Sequence, residues 1–209
     1  MTGPAFRALP AVAGATMIAA AMLAGTARPA AAGGPQGLCA AEIARVERAE
    51  AIPAHLLGAI ARVESGRWNR ADGAIFAWPW TVTAQGRGRY LPDKQAAIAE
   101  VRRLRADGIA NIDVGCMQIN LLHHPDAFAD LDTAFDPAAN VAYAGRFLTE
   151  LRRELRSWAR AVARYHSATP ELYRGYRDRV FAAWRDERRR ARLADRAARA
   201  AARIVVSSP

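Results

Sequence analysis

The chain has 209 residues, enough for one globular domain plus end segments, and 52% of them are apolar, which excludes wholesale disorder. Its formal net charge is +10, so outside the cytoplasm it is drawn to anionic polymers. The same charge attracts nucleic acid and acidic lipid without specificity, so it names no partner by itself.

Residues 1–32 read as a secretory signal peptide. Arg7 gives a weak positive start, and Ala11 to Ala24 is apolar but too short to span a bilayer. Ala30-Ala31-Ala32 then offers a small-residue cleavage site. An uncleaved anchor or an Ala/Pro tail is the alternative. No later run is apolar and long enough to cross a membrane, so no stable span is expected after cleavage. The expected location is the periplasm.

Cys39 to Glu50 has the spacing of a short amphipathic helix. Pro53 suits the first position of a second helix, whose apolar residues include Leu56, Leu57, Ile60, Ala61 and Val63. Glu64 falls at its end and Gly66 can stop it. Asn69 to Tyr90 reads as loop with hairpin character, and Lys94 to Ala106 returns to helical spacing. Asp113 to Asn120 reads as a turn entering a short helix. Asp136-Pro137 marks a capped helix start, and Ser157 caps another helix. Leu172 to about Arg203 reads as one long basic helix, with Val205 to Pro209 as a frayed end. The expected fold is mainly α, a helical domain over residues 38–184 with a small β/loop insert. A basic helical tail follows at 185–209, with eight arginines against three acidic residues.

Cys39 and Cys116 form an even pair in a chain read as exported, which points to one disulfide. Two buried free thiols are the alternative. His123-His124 is not surrounded by further ligands at metal spacing, and no phosphate-binding glycine loop occurs. No metal or cofactor is expected.

Glu64 is the first candidate for chemistry. A carboxyl group ending an apolar helix at a cleft is poorly solvated when ionised, so its pKa should rise and keep it able to donate a proton. A plain surface Glu is the alternative reading of this residue alone.

Four segments resemble the lytic transglycosylase family, in the family's order. They are Ile60-Ala-Arg-Val-Glu64-Ser65-Gly, Asp113-Val-Gly115-Cys-Met117-Gln118-Ile-Asn120, Phe135-Asp-Pro-Ala-Ala-Asn140-Val-Ala-Tyr-Ala-Gly145, and Ala163-Arg-Tyr165-His166-Ser167. The resemblance implies a lysozyme-like domain that cleaves peptidoglycan glycan strands and leaves 1,6-anhydromuramic acid ends. It implies Glu64 as sole acid and base. Ser65, Met117, Gln118, Asn120 and Tyr165 are implied substrate contacts, with Ser65 orienting Glu64 or an acetamido group and Met117 lining the floor. Backbone bonding by Ser65, core packing of Met117 and a structural Tyr165 stand as alternatives. Family members often carry Tyr-Asn-Gly where this chain has Tyr165-His166-Ser167, so Tyr165 transfers more securely than His166.

Trp68, Trp78, Trp80 and Tyr90 crowd the segment between the first two motifs. They form either one wall of a glycan groove or a cluster that holds the insert down. A hydrolytic muramidase would need a second carboxylate, for which Asp72 and Asp93 are present without distinctive spacing. A non-catalytic wall-binding assembly module is a further reading, opposed by the intact Glu64-Ser65 pair. A specific nucleic-acid role is opposed by the export signal. By resemblance, a flagellar, pilus or secretion-system component is a candidate partner, and the basic tail a candidate docking segment.

Overall fold

The computed structural model describes residues 34–167 and 169–206. The segment read as a signal peptide lies outside the described residues. Helix α1 spans Pro35–Ala49 and α2 spans Leu56–Ser65. The second helix does not begin at Pro53. Its start is set instead by Glu47 of α1, whose carboxylate accepts N–H bonds from His55, Leu57 and Gly58 at 2.8, 2.8 and 3.1 Å. A buried carboxylate on the exposed amides of a helix N-terminus satisfies donors that have no intrahelical partner. It also ties α1 to α2.

The β insert follows α2 directly. Strands β1 (Gly66–Asn69) and β2 (Ala74–Ala77) form an antiparallel hairpin. Strands β3 (Thr81–Ala84), β4 (Arg87–Tyr90), β5 (Ile112–Val114) and β6 (Ile119–Asn120) form a second sheet in the order β4-β3-β5-β6. Helix α3 (Lys94–Ala106) crosses between β4 and β5, capped by Asp93, whose side chain accepts the Ala96 N–H. Residues 113–120 therefore form a β hairpin and not the entry to a short helix. Val114 pairs with Ile119 and Asp113 with Asn120 across it.

The chain then passes through α4 (Leu131–Ala134), α5 (Pro137–Leu155), α6 (Trp158–His166) and α7 (Pro170–Val206). Asp136 caps α5 with Pro137 in its first turn, and Ser157 caps α6. Val141, Ala144, Leu148 and Leu151 line the buried face of α5. Gly145 lets α1 approach this helix closely, because a Cβ there would overlap the Val46 side chain. The main core joins α1, α2, α5, α6 and α7, with Cys116, Met117 and Ile119 inserted from the second sheet's hairpin. A smaller core packs β3 and β5 against α3, Ala134 and Phe135.

A disulfide joins Cys39 of α1 to Cys116, with Cα atoms 5.8 Å apart across a sequence separation of 77. Helix α7 runs unbroken through residues 184–185 and includes Val205 and Val206, while the rest of the end segment, residues 207–209, lies outside the described residues. Tyr176 and Val180 fit into the core at a four-residue spacing. Trp184 donates its indole N–H to the Ala54 carbonyl at 2.9 Å, and Glu187 pairs with Arg62 at 2.8 Å. None of the described helices is long and apolar enough to cross a membrane.

Candidate active site

Glu64 lies in the last turn of α2 and is partly exposed. Its Oε1 accepts the Tyr176 hydroxyl at 2.6 Å, and Tyr176 itself is only 1% exposed. The His166 ring lies flat on Tyr176, with centroids 4.4 Å apart and planes 8° from parallel. Burial pushes the Glu64 carboxyl up from 4.5 to about 7, against the lowering effect of the Tyr176 hydrogen bond. The nearby Asp113 charge adds to the rise, and Arg179 opposes it. Burial raises Asp113 as well, while its hydrogen bond from Asn120 and the charges of His166, His123 and His124 hold it down. Tyr165 and Tyr176 are driven well above the ordinary phenol range by burial first and by the Glu64 charge second, so both remain neutral donors.

The turn between β5 and β6 is held opposite Glu64's helix by three side chains from elsewhere. Ser65 donates its hydroxyl to the Cys116 carbonyl at 2.6 Å. Tyr165 donates to the Met117 carbonyl at 2.9 Å. Asn140, fully buried, accepts the Met117 N–H at 2.9 Å and donates to the carbonyls of Val114 and Ala134 at 3.1 and 3.0 Å. Gly115 has φ +83°, and a Cβ on it would overlap the Asn140 amide, so the turn needs glycine twice over.

Gln118 is 8% exposed and donates its amide to the Thr81 and Gly115 carbonyls, both at 3.1 Å. Its Oε1 is buried with no partner among the described residues. An acceptor left in that state costs free energy until a donor reaches it.

Three of the expected substrate contacts are occupied otherwise. The Met117 side chain is fully buried in the core, so it does not form an open floor. Asn120 donates to Asp113 at 2.8 Å and to Asn111, and its Oδ1 accepts the N–H groups of Leu122 and His123, so its side chain serves the hairpin. Ser65 is fully buried and bonds only backbone. Glu64, Ser65, Gln118 and Tyr165 do converge on one turn and one helix end. Neither acid considered as a second carboxylate stands out, since Asp93 caps α3 and Asp72 accepts from Asn69 at 2.6 Å. The carboxylate whose charge acts on Glu64 is Asp113. Among the described residues no cluster of three or more His, Cys, Asp or Glu side chains is placed to hold a metal, and His124 is engaged by the Tyr143 hydroxyl at 2.9 Å.

The geometry is that of one desolvated carboxyl group with a buried phenol as its partner, set against a rigid glycine turn. A family model described as the transglycosylase SLT domain matches residues 42–177. The chain belongs to that family. Neither the curated proteins nor the solved structures gave a match. The transglycosylase SLT domain here is thus a lytic-transglycosylase-type, lysozyme-like domain, mainly helical with a small sheet insert. Membership sets peptidoglycan as the substrate class, consistent with action outside the cytoplasm. The family match ends at Arg177, so it takes in Tyr176 but neither Arg179 nor the rest of α7.

Tyr176 is the site residue that the sequence reading missed. Its signal was the inward spacing Tyr176, Val180, Trp184 on α7, which reads as core. Removing its hydroxyl has a calculable sign. The bond favours the charged carboxylate, so Tyr176→Phe should raise the Glu64 pKa further. In a pH–rate profile the wild type should lose activity as pH rises through about 7, and the variant's alkaline limb should lie at higher pH. A limb that stays in place or moves down would count against the Tyr176–Glu64 coupling.

Proposed function

We propose that the protein cleaves the β-1,4 bond between N-acetylmuramic acid and N-acetylglucosamine without water, using Glu64 as sole acid and base. The supporting observation is the Glu64 carboxyl, raised to about 7 and bonded to Tyr176, which keeps a proton near neutrality. In the first step protonated Glu64 gives its proton to the bridging oxygen. The C1–O bond breaks with its electron pair on that oxygen, leaving an oxocarbenium-like centre at C1. The Glu64 carboxylate then takes the proton from the muramoyl C6 hydroxyl, whose oxygen attacks C1 and closes the 1,6-anhydro ring. Glu64 ends protonated, ready for another cycle. Tyr176 stabilises the carboxylate between the two proton transfers. Gln118 is taken as a sugar contact on the family resemblance, and because its Oε1, unpartnered among the described residues, is buried, a sugar donor reaches it only when the turn shifts. Tyr165 and Ser65 act by holding the turn that carries Gln118.

The same reading takes residues 1–32 as an export signal to the periplasm and residues 38–184 as the catalytic domain. The 185–209 segment would be a docking extension for the wall or for a flagellar, pilus or secretion machine. One observation favours a second reading. Asp113 lies close enough to raise the Glu64 pKa, so a hydrolytic muramidase would have its second carboxylate there. Mass spectrometry of products from purified peptidoglycan separates the two. Anhydromuropeptides are expected; reducing-end products would move the assignment to hydrolysis with Asp113 as partner.

A further inference from the structure

The β1–β2 hairpin carries a cavity of about 330 Å³ lined by Arg67, Trp68, Asn69, Arg70, Phe76 and Trp78. β1 starts immediately after Glu64-Ser65, so Trp68 lies four residues from the acid and at most about 14 Å from it along the chain. The aromatic side chains here divide into two sets. Trp78 is fixed: its indole N–H donates to the Leu91 carbonyl at 2.7 Å, and its ring meets Trp80 edge-on at 5.7 Å. Tyr90 is also tied, through its hydroxyl to the Gly66 carbonyl at 2.6 Å. Trp68 is 60% exposed, more than any other Trp, Tyr or Phe side chain described, and its ring is in no aromatic pair among the described residues.

The charges are arranged with equal economy. The Arg67 guanidinium lies 4.3 Å from the centroid of the Trp78 ring and 6.0 Å from that of Tyr90. Stacking fixes this cation in place without neutralising it. Among the described residues neither Arg67 nor Arg70 is in an ion pair. The one carboxylate on this hairpin's turn, Asp72, is taken by the Asn69 amide. The site therefore presents one open aromatic face and two guanidinium groups outside any ion pair among the described residues, one of them preorganised, on and just after the strand that leaves the catalytic helix.

We infer that this cavity is a subsite for a peptide-bearing sugar of the glycan strand. The pyranose stacks on Trp68, and the carboxylates of the attached stem peptide pair with Arg67 and Arg70. This rests on the peptidoglycan reading above and deepens it, because it makes the enzyme prefer strands that keep their stem peptides over stripped glycan. A pyranose face needs a flat apolar partner with one side open, which Trp68 supplies and the tied Trp78 does not. A carboxylate needs a forked donor held in place, which the stacked Arg67 supplies.

The test measures binding in the non-cleaving Glu64→Gln protein, by co-sedimentation with intact sacculi and by retention on bead-immobilised glycan stripped of its peptides by an amidase, with the freed lactyl carboxylates capped as amides. Trp68→Ala should weaken binding to both polymers about tenfold, and Trp68→Phe should recover most of it. The pair Arg67→Ala and Arg70→Ala together should weaken binding to intact sacculi and leave stripped glycan unchanged. Because Arg67 packs on Trp78, Arg70→Ala alone is the control for a disturbed hairpin and should show a smaller loss with the same selectivity. Unchanged binding by the Trp68→Ala protein, or equal losses on both polymers for the arginine variants, would overturn the subsite while leaving the catalytic reading intact. Failure of the Glu64→Gln parent to bind either polymer would overturn both. Tighter binding to a single-stranded oligonucleotide than to sacculi, lost in Trp68→Ala, would reassign the cavity and overturn the inference.

Discussion

Glu64→Gln should leave less than about a thousandth of the glycan-cleaving rate and yet make the fold more stable above pH 7. The loss of rate follows from the double use of one proton carrier. General acid–base assistance contributes roughly 10²–10⁴-fold in each such step, and glutamine can neither give nor take the proton. The gain in stability follows from linkage. Burial raises the folded-state pKa from 4.5 to about 7, so the folded protein binds this proton more tightly than the unfolded chain does. Below about pH 4.5 both states are protonated and the buried carboxyl costs nothing extra. Between 4.5 and 7 the unfolded state ionises first, and stability falls with rising pH. Above 7 the full penalty is present: the rise from 4.5 to about 7 is worth roughly 3.4 kcal/mol at 1.36 kcal/mol per pKa unit, and the partial exposure of Glu64 brings this to about 2–3 kcal/mol.

Glutamine keeps an acceptor for the Tyr176 hydroxyl and carries no charge to desolvate. The two proteins should therefore melt together at pH 4 and diverge at pH 8. At pH 8 the variant should melt roughly 5–10 °C higher, given the usual few degrees per kcal/mol for a chain of this size. Equal melting temperatures at pH 8 would mean that the wild-type carboxylate is well solvated, and the case for Glu64 as the acid would fall with it.

The residues that were legible in the sequence are those whose effect is local. Asp136-Pro137 and Ser157 cap helices through amides three residues on, so a short window contains all the physics. Glu64 was legible as the residue near the end of an apolar helix just before a glycine, and it was the resemblance of four segments in order, not that local pattern, that proposed it as the acid. Residues 113–120 were misread because their apolar run is too short to carry a period. The hairpin there is fixed by Asn140, more than twenty residues away, whose amide takes three backbone partners. The start of α2 was misplaced for a like reason, since Glu47 rather than Pro53 satisfies its first amides. Tyr176 meets Glu64 across 112 residues, and no local pattern separates such a tyrosine from a core aromatic. Met117 and Asn120 show the converse. They belong to a recognisable motif, yet one fills the core and the other closes the hairpin, so a motif can mark a site by building its scaffold. Among the aromatic residues of the insert, composition grouped four alike, and only tertiary hydrogen bonds separate the tied Trp78 and Tyr90 from the open Trp68.

Reduction of the Cys39–Cys116 bridge, or its replacement by two alanines, should cost about 4–5 kcal/mol of stability. The bridge closes a loop spanning a separation of 77 residues, and in the chain-entropy model that length removes this much free energy from the unfolded ensemble. Both cysteines are essentially inaccessible, so strong reductant should act on the native protein slowly and the double Ala variant is the cleaner comparison. Its melting temperature should lie roughly 10–20 °C lower. A fall of less than about 3 °C would mean that the unfolded chain is already constrained and the cross-link adds little. The bridge should matter to chemistry as well as to folding. Cys116 stands in the turn whose carbonyl takes the Ser65 hydroxyl, one residue from Glu64, and two residues before Gln118. Releasing the turn from α1 loosens the register between the acid and the amide acceptor, and small misplacements are costly when catalysis depends on position. The double Ala variant should therefore lose rate at 25 °C, where it remains folded, with the decrease falling on kcat more than on affinity for sacculi. Full activity in a folded double variant would confine the bridge to stability and leave Ser65, Tyr165 and Asn140 as sufficient supports for the turn.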